Sequence, residues 1–232
     1  MNLQALFVLS TAALSWAAVA APPPTPIPAI QDGLVAVQSR DLDELYLRPN
    51  ADLARYRKIM IDPVQVAFRD DWIKNMNTAR GATRQIGPDD VWRIADETAS
   101  SLASIIAEAF KARDYEIAAV PGPGVLRLSP VVTELYVNAP NDLSPGITKS
   151  YVRDAGDATM ILEVRDAVTG TVLGRVVDHR KAREIGRLNR ANGVTNRFWF
   201  DAMLRQWAAN CVKEFEAFEN PPRASAISPT AR

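Results

Sequence analysis

The stretch that decides the fold is Ala158–Arg180, ATMILEVRDAVTGTVLGRVVDHR. In its first half Ala158, Met160, Leu162 and Val164 alternate with Thr159, Glu163 and Arg165. A period of two, with one apolar and one polar side, belongs to a strand that packs on one face and meets water on the other. Antiparallel sheets are built of such strands. Asp166-Ala167-Val168-Thr169-Gly170 then supplies a turn, because the aspartate can accept from nearby backbone amides and the glycine can take a positive φ. Thr171–Arg180 returns as the partner strand and becomes polar at Asp178. The segment predicts a β-hairpin.

It also holds the only histidine of the chain, His179. A histidine base needs a nucleophile within hydrogen-bond reach and an orienting carboxylate. The adjacent Asp178 points to the opposite face of a regular strand. His179 therefore reads as a marker of where the strand leaves the core, not as a catalyst. With one histidine and one distant cysteine, a metal site would have to be built of carboxylates. Neither a metal nor a cofactor is expected.

Moving outward, Tyr56–Phe68 (YRKIMIDPVQVAF) has strand period, interrupted at Pro63 by a kink or an edge position. Gly87-Pro88-Asp89-Asp90 opens a helix with acids at its positive end, and Val91, Ala95, Ala99, Leu102, Ile106 and Ala109, joined by Ile94, Ile105 and Phe110, place an apolar stripe along residues 90–112. Tyr115–Val120 and Gly124–Asn138 read as strands around Pro121-Gly122-Pro123-Gly124. A second helix covers Thr195–Phe218, with Phe200, Met203, Leu204, Trp207, Cys211, Val212, Phe215 and Phe218 in its buried stripe. The order strand, helix, four strands, helix predicts an α+β fold. A largely antiparallel sheet of about five strands would carry two long helices packed on one face, in a single domain over residues 32–218.

The first 31 residues carry no charged side chain. Residues 1–21 read as a signal peptide, an apolar run followed by Ala18-Val19-Ala20 before Ala21, although the usual basic start is missing. Residues 22–31 form a proline-rich spacer and residues 219–232 a disordered tail. The expected location is the periplasm; an uncleaved signal would instead act as a membrane anchor. Lys plus Arg and Asp plus Glu number 27 each, so no global field points to nucleic acid. The single Cys211 excludes an internal disulfide and, on a helical apolar stripe, reads as a buried, inert thiol.

Asp62, Asp70 and Asp71 flank the first strand, but acid–base catalysis needs two carboxyls converging on one cleft, and the spacing offers no convergence. The glycines of Gly122-Pro123-Gly124 suggest a phosphate loop, which fails because Pro123 lacks an amide and a strand follows where a helix should begin. No catalytic residue is assigned. Charge is more suggestive. Arg175, Arg180, Lys181, Arg183, Arg187 and Arg190 crowd the stretch before Phe198-Trp199-Phe200. A basic connector of this kind suits an envelope protein, an anionic lipid or a cell-wall polymer as partner. The loop Asn138–Ser150 is long enough to bind as well.

Leu45-Tyr46-Leu47-Arg48-Pro49, the YRKIMIDPVQVAF stretch, Gly122-Pro123-Gly124-Val125-Leu126 and Ala155-Gly156-Asp157-Ala158 together resemble the bacterial domain-of-unknown-function family 3313. The resemblance implies an exported envelope protein, in many members lipoprotein-like, without an established activity. This chain lacks a cysteine at the cleavage site, which favours a soluble periplasmic form. The resulting expectation is a non-enzymatic accessory or binding protein of the envelope. Its rivals are a carboxylate-based hydrolase and a small-molecule carrier, the latter requiring a sizeable apolar cavity.

Overall fold

A computed structural model describes residues 33–78, 85–138, 151–152, 155–182, 189–190 and 193–219. In chain order the elements are β1 (Val35–Val37), β2 (Glu44–Leu47), β3 (Lys58–Ile61), β4 (Gln65–Phe68), α1 (Trp72–Thr78), α2 (Pro88–Lys111) and β5 (Glu116–Ile117). They continue with β6 (Val125–Val137), β7 (Tyr151–Val152), β8 (Gly156–Asp166), β9 (Val172–Ala182), β10 (Asn189–Arg190) and α3 (Gly193–Glu219).

The hairpin forms where its sequence places it. β8 and β9 pair antiparallel, with Glu163 opposite Arg175 and Thr159 opposite His179. Asp166 Oδ1 accepts from the backbone N–H groups of Val168 (2.9 Å) and Thr169 (2.8 Å), and Gly170 takes φ 70°. β9 runs on past His179 to Ala182. Along β8 the residues Ala158, Met160 and Leu162 are buried, while the alternate residues are half-exposed.

The sheet differs from the expected one. It has eight strands in the order β1-β2-β9-β8-β6-β3-β5, with β4 also paired to β6, and it is mixed rather than largely antiparallel. β3 and β4 both run parallel to β6, and β5 parallel to β3. The cause lies in the connection. A strand followed by a long helix is carried back across the sheet and re-enters in its original direction, whereas only a tight turn reverses it. α2 is that crossover. The Tyr56–Phe68 strand does break at Pro63, as its sequence requires: Ile61 pairs with Leu128 and Gln65 with Val131, so one extra residue bulges out. Among the described residues there are three helices rather than two. The extra one, α1, is seven residues long and is anchored by Trp72, which is fully buried, stacks on Phe68 at 4.4 Å and donates from Nε1 to the Val137 carbonyl at 2.9 Å.

α2 starts at Pro88, whose missing amide costs nothing at a first helical position, and the Asp90 carboxylate accepts from the Gly87 N–H. Its Ile94, Leu102, Ile106 and Phe110 join Leu204, Trp207 and Val212 of α3, together with Leu126, Leu128, Val132 and Met160 of the sheet, in one apolar cluster. Each side chain so buried contributes roughly 1.5–3 kcal/mol relative to exposure. The helices also touch directly, through Ser101 Oγ donating to Asp201 Oδ1 (2.6 Å) and Phe110 packing edge-on to Phe215. Cys211 is buried as expected, and burial pushes its thiol well above the ordinary range.

Candidate functional site

Opposite its turn, the β8–β9 hairpin runs out at the pair Gly156 and Ala182. Pairing then resumes in β7 and β10, where Val152 faces Asn189 and Tyr151 faces Arg190. The loop that begins at Asn138 enters β7, and the basic connector leads from Lys181 into β10. The two segments singled out as binding candidates are thus fastened to each other at this open end.

The basic residues divide. Arg175 is only 5% exposed, and its Nη2 donates to Glu163 Oε2 at 2.6 Å, while Arg165 Nε donates to Glu163 Oε1 at 2.7 Å. Arg180 Nε donates to Asp178 Oδ2 at 2.6 Å, and its Nη2 to the carbonyl of Asp41. These two arginines hold the fold together. Lys181 is exposed. Arg183 and Arg187, like residues 139–150, lie outside the described residues, and Arg190 is placed as the backbone partner of Tyr151.

Asp178 lies beside His179 on the core side of β9 and is fully buried. It accepts from Arg180 and from the N–H of Asp43 at 3.1 Å. Burial raises its pKa, against the opposing pull of the Arg180 hydrogen bond. Around it Asn210 Nδ2 donates to the Asp41 carbonyl at 3.1 Å, Lys213 to the Asp41 carboxylate, and Ser39 Oγ to Glu214 at 2.6 Å. This polar cluster ties residues 39–43 to β9 and α3.

His179 faces outward, its side chain 46% exposed. Its Nδ1 lies 3.3 Å from Thr159 Oγ1, and its Nε2 lies 4.0 Å from Asp157 Oδ1. In outline this is a nucleophile, a base and an orienting carboxylate. The chemistry does not follow. Thr159 Oγ1 also lies 3.1 Å from Glu134 Oε2, a carboxylate acceptor that competes with His179 Nδ1 for its one proton. The backbone N–H groups around Thr159 are committed to the ladders with β6 and β9, which leaves no donor for an oxyanion. A flat, exposed sheet face does not exclude water.

The backbone here is unusual. β6 bulges between Thr133 and Tyr136, and Glu134 sits at φ 53° within the bulge. Facing it, Gly156 has φ 145°, and a Cβ added there would lie 1.9 Å from the Tyr136 carbonyl oxygen. The bulge also presents Tyr136, whose ring carries the Arg69 guanidinium at 3.8 Å; Arg69 Nη1 in turn donates to Asp157 Oδ1 at 3.3 Å.

The aspartates flanking the first strand do not converge. Asp62 accepts from Arg127 Nε (2.9 Å) and Ser129 Oγ (2.6 Å), while Asp71 accepts from Arg69 Nε (3.1 Å) and Asn75 Nδ2 (2.8 Å). Two clefts open elsewhere. One of about 80 Å³ lies between α2 and α3 and is lined by Arg93, Glu97, Ser101, Arg197, Phe200 and Asp201. The other, of about 220 Å³, lies beside β1 among Val35, Leu47, Leu173 and Phe218. Both fall short of the roughly 300–1,000 Å³ usual for small-molecule sites. Among the described residues, no group of three or more His, Cys, Asp or Glu side chains is placed to hold a metal ion, and no helix is long and apolar enough to cross a membrane.

A family model described as "Protein of unknown function (DUF3313)" matches residues 29–211. No curated protein matches the chain. Among solved structures, the PelC dodecamer from Paraburkholderia phytofirmans is 14% identical over 72% of this chain and 96% of its own, with a TM-score of 0.35. A protein from Xanthomonas campestris assigned to DUF330 is 10% identical over 68% of this chain and 82% of its own, with a TM-score of 0.41. Both similarities are remote.

Proposed function

This chain belongs to the DUF3313 family, and from that premise we propose a non-enzymatic accessory protein of the cell envelope that binds an anionic partner at the open end of the β8–β9 hairpin. One observation carries the reading: the β7–β10 pairing fastens the basic connector to the 138–150 loop. Lys181, exposed near the end of β9, begins the proposed binding segment, and Arg183, Arg187 and Arg190 follow it in the sequence. Arg175 and Arg180 are left out because each is held by a carboxylate. Against the hydrolase reading stand the dispersed pairing of Asp62 and Asp71 and the unsuitable surroundings of His179. Against the carrier reading stands the small size of both clefts. Export to the periplasm is supported by the uncharged N-terminal stretch with Ala18-Val19-Ala20 before Ala21.

The test is a charge reversal of Lys181, Arg183, Arg187 and Arg190 to Glu, compared with the unaltered chain by crosslinking in the native cell. Sedimentation with anionic vesicles and with purified cell-wall polymer runs in parallel. The reversed chain should lose its main crosslinked neighbour, or at least ten-fold in sedimentation with one of the two anionic materials. Identical neighbours and identical sedimentation for the two chains would overturn the reading.

A further inference from the structure

β1 stands at the end of the sheet, and among the described residues it has a partner strand, β2, on one edge only. Which of its backbone groups face the other edge follows from the register. Arg48 N–H donates to the Leu173 carbonyl of β9 at 2.8 Å. The amides of a strand alternate between its two edges, so those of Leu47 and Leu45 turn the other way, toward β1. Their partners there are Val35 and Val37, which leaves the N–H and C=O groups of Leu34 and Ala36 aimed at the free edge. The cleft of about 220 Å³ opens on the same margin, lined by Val35, Val37, Leu47, Leu173 and Phe218, and Val35 is 49% exposed. Folded proteins cover or blunt an apolar edge of this kind, because it offers a ladder to any strand that meets it.

We propose that residues 28–31, which lie outside the described residues, fold back on that edge as one more antiparallel strand, turning at Asp32-Gly33. Asp-Gly is a preferred pair for a two-residue hairpin turn whose second residue needs a positive φ, and Gly33 has φ 70°. β2 already holds one edge of β1, so a chain that reverses into β1 through so short a turn takes the other edge. A two-residue turn sets Gln31 opposite Leu34 and Ala29 opposite Ala36 as the hydrogen-bonded pairs. Leu34 and Ala36 are the two residues whose backbone groups face the free edge. Ile30 and Pro28 then stand opposite Val35 and Val37, on the face that lines the cleft, and cover it. Proline selects this register independently. At residue 28 it directs the backbone nitrogen away from β1, where no donor is needed. A turn one residue longer would set Pro28 against Ala36, where a donor is required. The added strand uses no residue of the basic connector.

Residue-resolved hydrogen exchange, on unaltered protein expressed from the full sequence, reads the pattern directly. The amides of Ala29, Gln31, Leu34 and Ala36 should exchange at least about ten-fold more slowly than those of an unstructured chain, while that of Ile30 should not be slowed. Crosslinking checks the register. Residues 30 and 35 form a non-hydrogen-bonded pair with Cα atoms about 4.5 Å apart, within reach of a disulfide. The Ile30→Cys, Val35→Cys double variant should therefore close an intramolecular disulfide at least about ten-fold faster than Ala29→Cys, Val35→Cys, which sets its two side chains on opposite faces. Cys211 is buried and does not compete. Ala29 and Gln31 amides that exchange as in an unstructured chain, equal closure of the two cysteine pairs, or a disulfide between two copies in place of one within a chain would each overturn the added strand.

Discussion

The two ends of one hairpin solve opposite problems with the same residue type. At the turn, Asp166 is almost fully buried and each of its oxygens is engaged: Oδ1 by two backbone amides, Oδ2 by the Tyr56 hydroxyl (2.7 Å) and Arg55 Nη2 (2.9 Å). These donors, chiefly the Thr169 amide, hold its pKa far below the usual carboxylate range. Near the other end Asp178 is buried more deeply with fewer donors, and its pKa moves up. Burial disfavours a carboxylate's charge, and donors favour it; the sign of the shift records which prevails. The closed end is finished internally. The open end carries a bulge, a left-handed Glu134 and an exposed histidine, and it delivers the chain into the connector. Completeness at one end lets the other be irregular without unfolding the pair.

The largest effect should come from Gly156→Ala. A methyl group 1.9 Å from the Tyr136 carbonyl cannot be placed, and φ 145° is hostile to any side chain. A loss of at least about 4 kcal/mol in urea unfolding is expected. A loss below about 1 kcal/mol would mean that the β6 bulge does not press on β8.

Asp166→Ala should cost about 3 kcal/mol, since it strips several hydrogen bonds from a buried carboxylate. pH sharpens the contrast. The lowered folded pKa of Asp166 means that its stabilisation is fully present above its unfolded value of about 4 and is lost as pH falls below it. Urea midpoints of the unaltered chain should therefore fall between pH 5 and pH 2 more steeply than those of Asp166→Asn. Parallel curves would remove Asp166 as the anchor of the closed end.

The smallest effect should be a gain. Glu134→Gly relieves a left-handed backbone at the cost of one exposed contact, and should stabilise by about 0.5 kcal/mol. A clear destabilisation would show that the Glu134 carboxylate supports the bulge rather than merely tolerating it.

Long periodic segments could be read from the sequence because they repeat their signal. β6, β8, β9, α2 and α3 fall close to their expected bounds. β1 and β2 hold three and four residues, too few for a period to emerge, and they are strands only because the edges of longer ones recruit them, while β5 keeps only two residues of the strand expected over Tyr115–Val120. α1 is likewise a product of one indole finding a place in the core. Of the site, the basic connector was legible as charge, but its members were not separable: a linear sequence does not reveal that Glu163 lies across from Arg175. The turn gives the pairing only to within one residue, because β8 slips against β9 between Val164 and Arg165. Counting back from Asp166 and forward from Thr171 would set Thr159 against Asp178; the register shift moves the pairing by one, so that Thr159 faces His179. The β7–β10 pairing, two residues on each side, had no such signal.

That short ribbon has a consequence for affinity. Two surface segments that moved independently would each have to capture a ligand alone, at its bulk concentration. Tied at Tyr151–Arg190 and Val152–Asn189, they would act, on the proposed reading, as one bivalent site. A ligand held by the first segment would then meet the second at an effective concentration on the order of millimolar. Two contacts too weak to matter singly then multiply into one that lasts.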